Sequence, residues 1–194
     1  MARTKAFDPE EKLTLAMMQF WHHGYDGTSI QGLVDTMGIN RFSIYNTFGD
    51  KDALFFKSLQ HYSVVVFDPL LLPLQSDAPG LERIQAYFLH FVDKLTRVKI
   101  KAGCFLQNAV QEAAVTNPEV RPYVASLFDR LRKGFYAALN DAHNANELAR
   151  LEDIEGGTEF LLMQVQALLA LHRQESTRTL KSNVNFLLAE VQSW

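Results

Sequence analysis

The sequence lacks several features that mark other classes of protein. Its single cysteine, Cys104, excludes an internal disulfide framework and fits a reducing compartment. The 19 Lys and Arg residues are outnumbered by 22 Asp and Glu, so no basic excess indicates a nucleic-acid partner. The apolar run over 160–171 is interrupted by Gln164 and Gln166 and is too short to span a bilayer. With no targeting segment evident, we expect a soluble cytoplasmic protein that does not enter a membrane.

Strand patterns are equally scarce, because no segment shows the bounded β-branched alternation of a half-buried strand. Apolar residues recur instead at helical spacing, which predicts an all-α fold of about nine helices. Asp8 as N-cap, Pro9 at the first position and Gly24 at the end predict a first helix over 9–23. A fourth helix should start at Lys51 after the cap Asp50. Later helices are expected over 81–98, 104–116, 118–142, 153–172 and 177–191.

Two short helices joined by a glycine-containing turn are predicted between residues 28 and 48. Thr28-x-x-Gln31 has the form of a capping box for the first of them. Gly38 ends that helix, and Asn40 can cap the next one, which ends near Phe48. This arrangement is typical of a helix-turn-helix. Its small core would consist of Leu33, Met37, Ile39 and Ile44.

The side chains of the second short helix suit contacts in a DNA major groove. Arg41 can donate two hydrogen bonds to guanine, Asn46 can pair with adenine, and Phe42 can contact a thymine methyl group. Phosphates could be held by backbone amides at helix starts and by Tyr45, Thr47 and Lys51. Ahead of the first helix, Arg3 and Lys5 could add phosphate or minor-groove contacts.

Residues 1–60 lack the basic excess that a groove binder usually carries. Residues 1–60 carry six Lys or Arg (Arg3, Lys5, Lys12, Arg41, Lys51, Lys57) and seven Asp or Glu (Asp8, Glu10, Glu11, Asp26, Asp35, Asp50, Asp52). The acids lie mainly at helix starts, where capping explains them, and residues 41–48 contain none. We therefore expect amides, hydroxyls and a few cations to bind phosphate, with weak non-specific binding.

The stretch GTSIQGLVDTMGINRFSIYNTFGDKDALF, residues 27–55, resembles the DNA-binding region of the TetR/AcrR (tetracycline-repressor) family of bacterial regulators. The matching residues include Gly38-Ile39, Ser43-Ile44-Tyr45, Phe48 and Lys51-Asp52-Ala53-Leu54, whereas Phe42 and Val34 depart from the usual pattern. The resemblance implies a DNA-binding domain over 1–50 and a helical effector-binding and dimerisation domain over 51–194. The implied DNA-binding residues are Thr28, Ser29, Asn40, Arg41, Phe42, Ser43, Tyr45, Asn46, Thr47 and Lys51.

The remaining helices are expected to bind an effector and to form a homodimer that places two helix-turn-helix units on a palindromic operator. An apolar effector pocket, with polar groups to orient the ligand, would be lined by Phe88, Phe91, Leu95, Cys104, Gln107, Asn108, Gln111, Phe128, Leu131, Phe135 and Met163. Apolar stripes on the last two helices indicate a dimer interface, although such stripes also form ordinary cores. These stripes contain Leu161, Leu162, Val165, Leu168, Leu169, Leu180, Val184, Leu187, Leu188 and Val191.

Cys104 is a candidate sensor because it is expected at a helix start, after Arg97, Lys99 and Lys101. Helix N-termini and nearby cations favour a reactive thiolate, whereas a buried cysteine would only fill space. Members of the resembled family that sense oxidants or electrophiles carry a similar Gly-Cys pair.

Two other classes of function are considered. A Cys-His hydrolase would use Cys104 with a distant histidine, but no nucleophile motif surrounds the cysteine. A di-metal bundle would need Glu-x-x-His pairs, which the sequence lacks. A helical interaction module would use the apolar C-terminal helices on another partner. We expect a repressor with no catalytic residue, metal or cofactor.

Overall fold

A computed structural model describes residues 7–97, 103–112 and 117–194. Within these ranges the chain is all-α, as the sequence predicts, with nine α-helices of eight residues or more, one four-residue α-helix and a four-residue 3₁₀ helix, Leu72–Gln75. The bounds are α1 Pro9–His23, α2 Ile30–Met37, α3 Arg41–Phe48, α4 Lys51–Tyr62, α5 Asp68–Leu71, α6 Gly80–Arg97, α7 Phe105–Glu112, α8 Val120–Asn144, α9 Ile154–Leu171 and α10 Thr177–Gln192. None of these described helices is long and apolar enough to cross a membrane.

Local capping chemistry sets the ends of the first helices. Asp8 accepts a hydrogen bond from the amide of Glu10 and Pro9 follows it, so α1 begins where predicted. Gly38 ends α2 in the left-handed conformation, at φ 63° and ψ 29°. Asn40 and Asp50 cap α3 and α4 through the amides of Ser43 and Ala53. The two turns of the helix-turn-helix are therefore encoded locally.

The predicted capping box of α2 is wrong by one residue. Ser29 is the N-cap, and its hydroxyl accepts a hydrogen bond from the amide of Gly32 at 3.0 Å. Thr28 is instead fully buried and donates to the carbonyl of Gly24, while Gln31 donates to Asp35. Because the Thr28 hydroxyl is buried and bonded to Gly24, Ser29 caps α2 instead.

The helix that begins at Lys51 changes its geometry before it ends. It is α-helical as far as Tyr62, and the five residues Ser63–Phe67 form a π-helical turn. Such turns interrupt the regular i→i−4 hydrogen bonds. Asp68 and Pro69 then open the short helix α5.

The described residues divide into two compact units. The first unit lies within residues 1–66 and 105–124 and includes α1–α4 and α7. Its core joins Phe20, Leu33, Met37, Ile44, Leu54 and Phe55. The second unit lies within residues 67–104 and 125–194. Its core includes Tyr87, Phe88, Leu131, Phe135 and the inner faces of α9 and α10.

Candidate nucleic-acid interface

Helix α3 is held in the first unit by two buried side chains and by hydrogen bonds at both ends. Asn40 caps its N-terminus. Ile44 and Phe48 are buried, which fixes the inner face of the helix. At the C-terminal end, the ammonium of Lys57 donates to the carbonyl of Phe48 at 2.8 Å. A cation at this end also opposes the negative pole of the helix dipole. The orientation of α3 is therefore set independently of any partner.

The opposite face of α3 carries the side chains that the sequence assigns to base reading. Arg41 and Asn46 are exposed, Phe42 is 74 % exposed and Tyr45 is 41 % exposed. Ser43 and Thr47 are half-buried at the edges of this face. The Phe42 ring is therefore largely accessible to solvent and available to a ligand.

Arg41 and Tyr45 lie one helical turn apart and contact each other. The guanidinium carbon of Arg41 is 5.7 Å from the centroid of the Tyr45 ring, and one guanidinium nitrogen is 3.5 Å from the phenol oxygen. Stacking of this kind restricts the arginine rotamers at little cost, because the guanidinium group keeps free donors. Arg41 is thereby held on the surface where a base edge would lie.

Lys51 begins α4 beside the recognition face and is held by an aromatic ring. Its ammonium lies 4.1 Å from the centroid of the Tyr25 ring, within the range of a cation–π interaction. The Tyr25 hydroxyl donates to the carboxylate of Asp52. The sequence predicts Lys51 as a phosphate-binding residue but does not identify Tyr25 as its neighbour. The position of Tyr25 in a polar loop between two helices is the only indication of a role.

The side chains of three residues assigned to DNA binding instead form hydrogen bonds with the backbone of this chain. Thr28 is buried, so its hydroxyl is not available to a phosphate. Ser29 and Asn40 are exposed, but their side-chain oxygens accept helix amides as N-caps. Arg3 and Lys5 lie outside the described residues. Of the other assigned residues, Arg41, Phe42, Tyr45 and Asn46 are exposed, and Lys51 is half-buried against Tyr25.

The residues expected to form an effector pocket belong to both units. Phe88, Phe91, Leu131 and Phe135 are buried in the second unit, where the Tyr87 ring lies 4.9 Å from Phe135. Leu95 and Phe128 are half-buried, Met163 is 58 % exposed, and the two described surface pockets are lined by other residues. On α7 of the first unit, Gln107 and Asn108 are half-buried and Gln111 is exposed.

Cys104 is buried immediately before α7. Burial raises the pKa of the Tyr87 phenol far above its ordinary value, and the neighbouring Cys104 adds to the rise. The phenol is therefore neutral throughout the physiological range. Two of the cations expected near the thiol, Lys99 and Lys101, lie outside the described residues.

The apolar stripes of α9 and α10 face the interior of the second unit. Nine of the ten residues assigned to the dimer interface are buried within this chain, and Leu169 is half-buried. The exposed apolar groups lie elsewhere on the same helices: Phe186 is 77 % exposed, and a groove beside it is lined by Phe160, Ala167, Leu171 and Asn183, among others. The periodicity identified the inner face of each helix, and two of the predicted interface residues, Leu168 and Leu187, also line this groove. The dimer interface stays a prediction.

A short recognition helix with an exposed polar-aromatic face, fixed by a glycine turn to a second helix, defines a helix-turn-helix DNA-binding protein. The family model described as bacterial regulatory proteins of the tetR family matches residues 13–57, and the tetracyclin repressor-like C-terminal domain matches residues 80–183, more than half of the chain. The chain belongs to the TetR family of transcriptional regulators and is not an enzyme.

Similar proteins agree with this membership. The chain is 30 % identical over 148 residues to the HTH-type transcriptional regulator YezE of Bacillus subtilis, with 76 % of each chain covered. It is 35 % identical over 141 residues to the HTH-type transcriptional repressor BdcR of Escherichia coli, covering 73 % of this chain and 70 % of BdcR. A cysteine mutant of the TetR-family regulator CifR, complexed with 26-bp operator DNA, superposes with a TM-score of 0.81 at 25 % identity, with 96 % and 98 % covered.

Proposed function

We propose that the protein is a cytoplasmic, homodimeric repressor that binds a palindromic operator through α3 and is released by a small-molecule effector. Residues 1–50 would read DNA, and residues 51–194 would bind the effector and dimerise. The exposed face of α3, carrying Arg41 and Phe42 on a helix fixed by Ile44 and Phe48, supports this function most directly. The operator-bound CifR relative and the repressor BdcR are consistent with it.

Arg41→Ala tests the base-reading role of α3. Loss of a bidentate arginine contact with guanine costs about 1–3 kcal/mol and relaxes selectivity at one base pair of each half-site. Because the proposed dimer loses this contact twice, we expect operator affinity to fall by at least about 30-fold, measured by fluorescence anisotropy with DNA flanking the native gene. Selectivity is measured with a set of single-base-pair variants of the bound site.

Arg121→Ala is the matched control for this experiment, because Arg121 is an exposed arginine on α8, outside the helix-turn-helix. Its affinity should stay within about twofold of the wild type. An Arg41→Ala protein with unchanged affinity and unchanged base preference would contradict the assignment. Failure of the wild-type chain to prefer any flanking DNA over random DNA would contradict the function.

Effector release is proposed to be non-covalent, with Cys104 as the competing route. A thiol that is buried in the second unit is poorly placed to attack an electrophile from solution. We expect wild-type protein treated with N-ethylmaleimide to retain its operator affinity within about twofold, as should a Cys104→Ser variant. If the reagent releases DNA from the wild type but not from Cys104→Ser, the cysteine is the sensor.

A further inference from the structure

Helix α7 contacts two other parts of the first unit, helix α4 at its first residue and the loop between α1 and α2 at its last. At its first residue, the Phe105 ring packs edge-on against Phe55 at 5.7 Å and Tyr62 at 5.5 Å, and Phe105 is buried. At its last residue, a carboxylate oxygen of Glu112 accepts a hydrogen bond from the backbone N–H of Tyr25 at 2.7 Å. The hydrogen bond joins α7 directly to the loop between α1 and α2, so a movement of α7 would also move or release this loop.

Gly24 makes the second attachment possible. A side chain at this position would overlap the carboxylate of Glu112, and the backbone at φ 72° and ψ 175° lies in a region that only glycine adopts readily. The carboxylate therefore lies directly on the backbone of the loop, where the next amide donates to it. A charged acceptor makes this hydrogen bond stronger than a neutral one.

Tyr25 carries this attachment onward to the start of α4. Its ring contacts Phe55 edge-on at 5.0 Å, and its hydroxyl donates to Asp52. The same ring lies beneath the ammonium of Lys51, at 4.1 Å. One residue thus joins the last residue of α7, through its backbone, to the first turn of α4, through its side chain.

The contact between the Tyr25 ring and Lys51 should strengthen phosphate binding by Lys51. A lysine ammonium is a point charge on a flexible stem, and much of its rotamer freedom is lost when it binds a phosphate. Stacking on Tyr25 restricts the stem before DNA arrives. The hydrogen bond from the Tyr25 hydroxyl also gives the neighbouring Asp52 carboxylate a neutral partner. Both effects favour a contact between Lys51 and an operator phosphate.

We propose that Tyr25 is a positioning residue for the phosphate-binding Lys51, and that Glu112 couples it to α7. When α7 moves away from the α1–α2 loop, Glu112 releases the Tyr25 amide, the ring shifts, and DNA affinity falls. This inference rests on the proposed function, in which Lys51 contacts operator DNA. It adds the route by which a ligand touching α7 changes that contact.

The test measures operator affinity as a function of salt concentration in the full-length protein. Each phosphate contact contributes about one unit to the slope of log affinity against log salt, and the proposed dimer carries two copies of Lys51, so Lys51→Gln should reduce the slope by about two. Tyr25→Leu should reduce the slope similarly in the wild-type background and leave it unchanged in the Lys51→Gln background. Tyr25→Phe keeps the ring and should retain most of the slope.

Glu112→Ala and Glu112→Gln form a matched pair for the coupling to α7. Glu112→Ala removes the acceptor in both protomers of the proposed dimer, and we expect operator affinity to fall by about 10- to 100-fold, as for loss of one exposed, charge-assisted hydrogen bond in each. Glu112→Gln keeps a side-chain carbonyl acceptor and should stay within about twofold. In the Lys51→Gln background, Glu112→Ala should have no further effect.

Several results would overturn the inference. Equal losses from Tyr25→Leu in the two Lys51 backgrounds would mean that Tyr25 only packs the loop, and equal losses from Glu112→Ala and Glu112→Gln would mean that the hydrogen bond carries no coupling. Thermal unfolding of each variant identifies a loss caused by unfolding, in which case Tyr25→Phe and Glu112→Gln carry the test. If Lys51→Gln leaves the slope unchanged while Arg41→Ala weakens binding, this inference fails and the proposed function stands.

Discussion

Phe186→Glu is expected to convert the proposed dimer into a monomer and to weaken operator binding by at least about 100-fold. Phe186 is 77 % exposed on α10, beside a groove lined by Phe160, Ala167 and Leu171. An exposed aromatic residue of this size, next to an apolar groove, is the kind of anchor that dominates interface energies, often by 2 kcal/mol or more. A carboxylate in its place would have to be desolvated on association.

DNA binding should weaken because a monomer carries one recognition helix instead of two. The recognition helix itself is unchanged by the substitution. Two recognition helices on one dimer act at a high effective concentration, which raises affinity by about 10²- to 10⁴-fold over a single half-site. Because the first unit carries few cations, the general attraction of DNA for a monomer should be small. Sedimentation velocity measures the oligomeric state, and anisotropy on full and half operators measures the affinity.

Asn185→Glu is the control for the dimer experiment. Asn185 is exposed one residue earlier on α10 and does not line the groove, so this variant should remain a dimer. A dimeric Phe186→Glu protein would show that the groove is not the interface. A monomeric Asn185→Glu protein would place the interface on the other side of α10.

Phe135→Ala is expected to lower the free energy of unfolding by about 3–5 kcal/mol, the usual cost of truncating a fully buried phenylalanine. Phe135 is 0 % exposed. Its ring meets Tyr87 edge-on at 4.9 Å and stacks on Phe88 at 5.7 Å. Such aromatic pairs stabilise beyond the area that they bury. Urea denaturation followed by circular dichroism measures the change.

The size of this change separates two roles for Phe135. If the ring lined an empty effector cavity, its outer face would have no packing partners and truncation would cost much less. A loss below about 1 kcal/mol would therefore contradict the core assignment and favour the pocket predicted from the sequence. Leu89→Ala, a truncation on α6 at a residue that is 44 % exposed, should cost under about 1 kcal/mol and serves as the control.

Features that depend on near neighbours in the chain could be predicted. Asp8, Pro9 and Gly24 fixed both ends of α1, and Gly38 and Asn40 fixed the turn before α3, because caps and turns are decided within a few residues. The capping box failed only because Thr28 and Ser29 are chemically similar at a helix start. Burial of Thr28, a tertiary effect, decided between them.

Features that depend on distant residues could not be predicted. The periodicity of Leu180, Val184 and Leu188 shows that one face of α10 is covered, but not whether this chain or a second copy covers it. The contact of Glu112 with Tyr25 joins residues 87 positions apart. Without that contact, Tyr25 reads as an ordinary loop aromatic, and its place beneath Lys51 has no signal in the local sequence.

Two loop glycines of the first unit, Gly38 and Gly24, should differ in how readily other residues can replace them. Gly38 has a left-handed conformation that asparagine also adopts, and a side chain there would meet nothing within 4 Å. Gly24 has a backbone that asparagine does not adopt readily, and any side chain there would displace Glu112. A lineage could therefore drift at Gly38 by one substitution. A change at Gly24 would require a new path for the loop and a new anchor for α7 together.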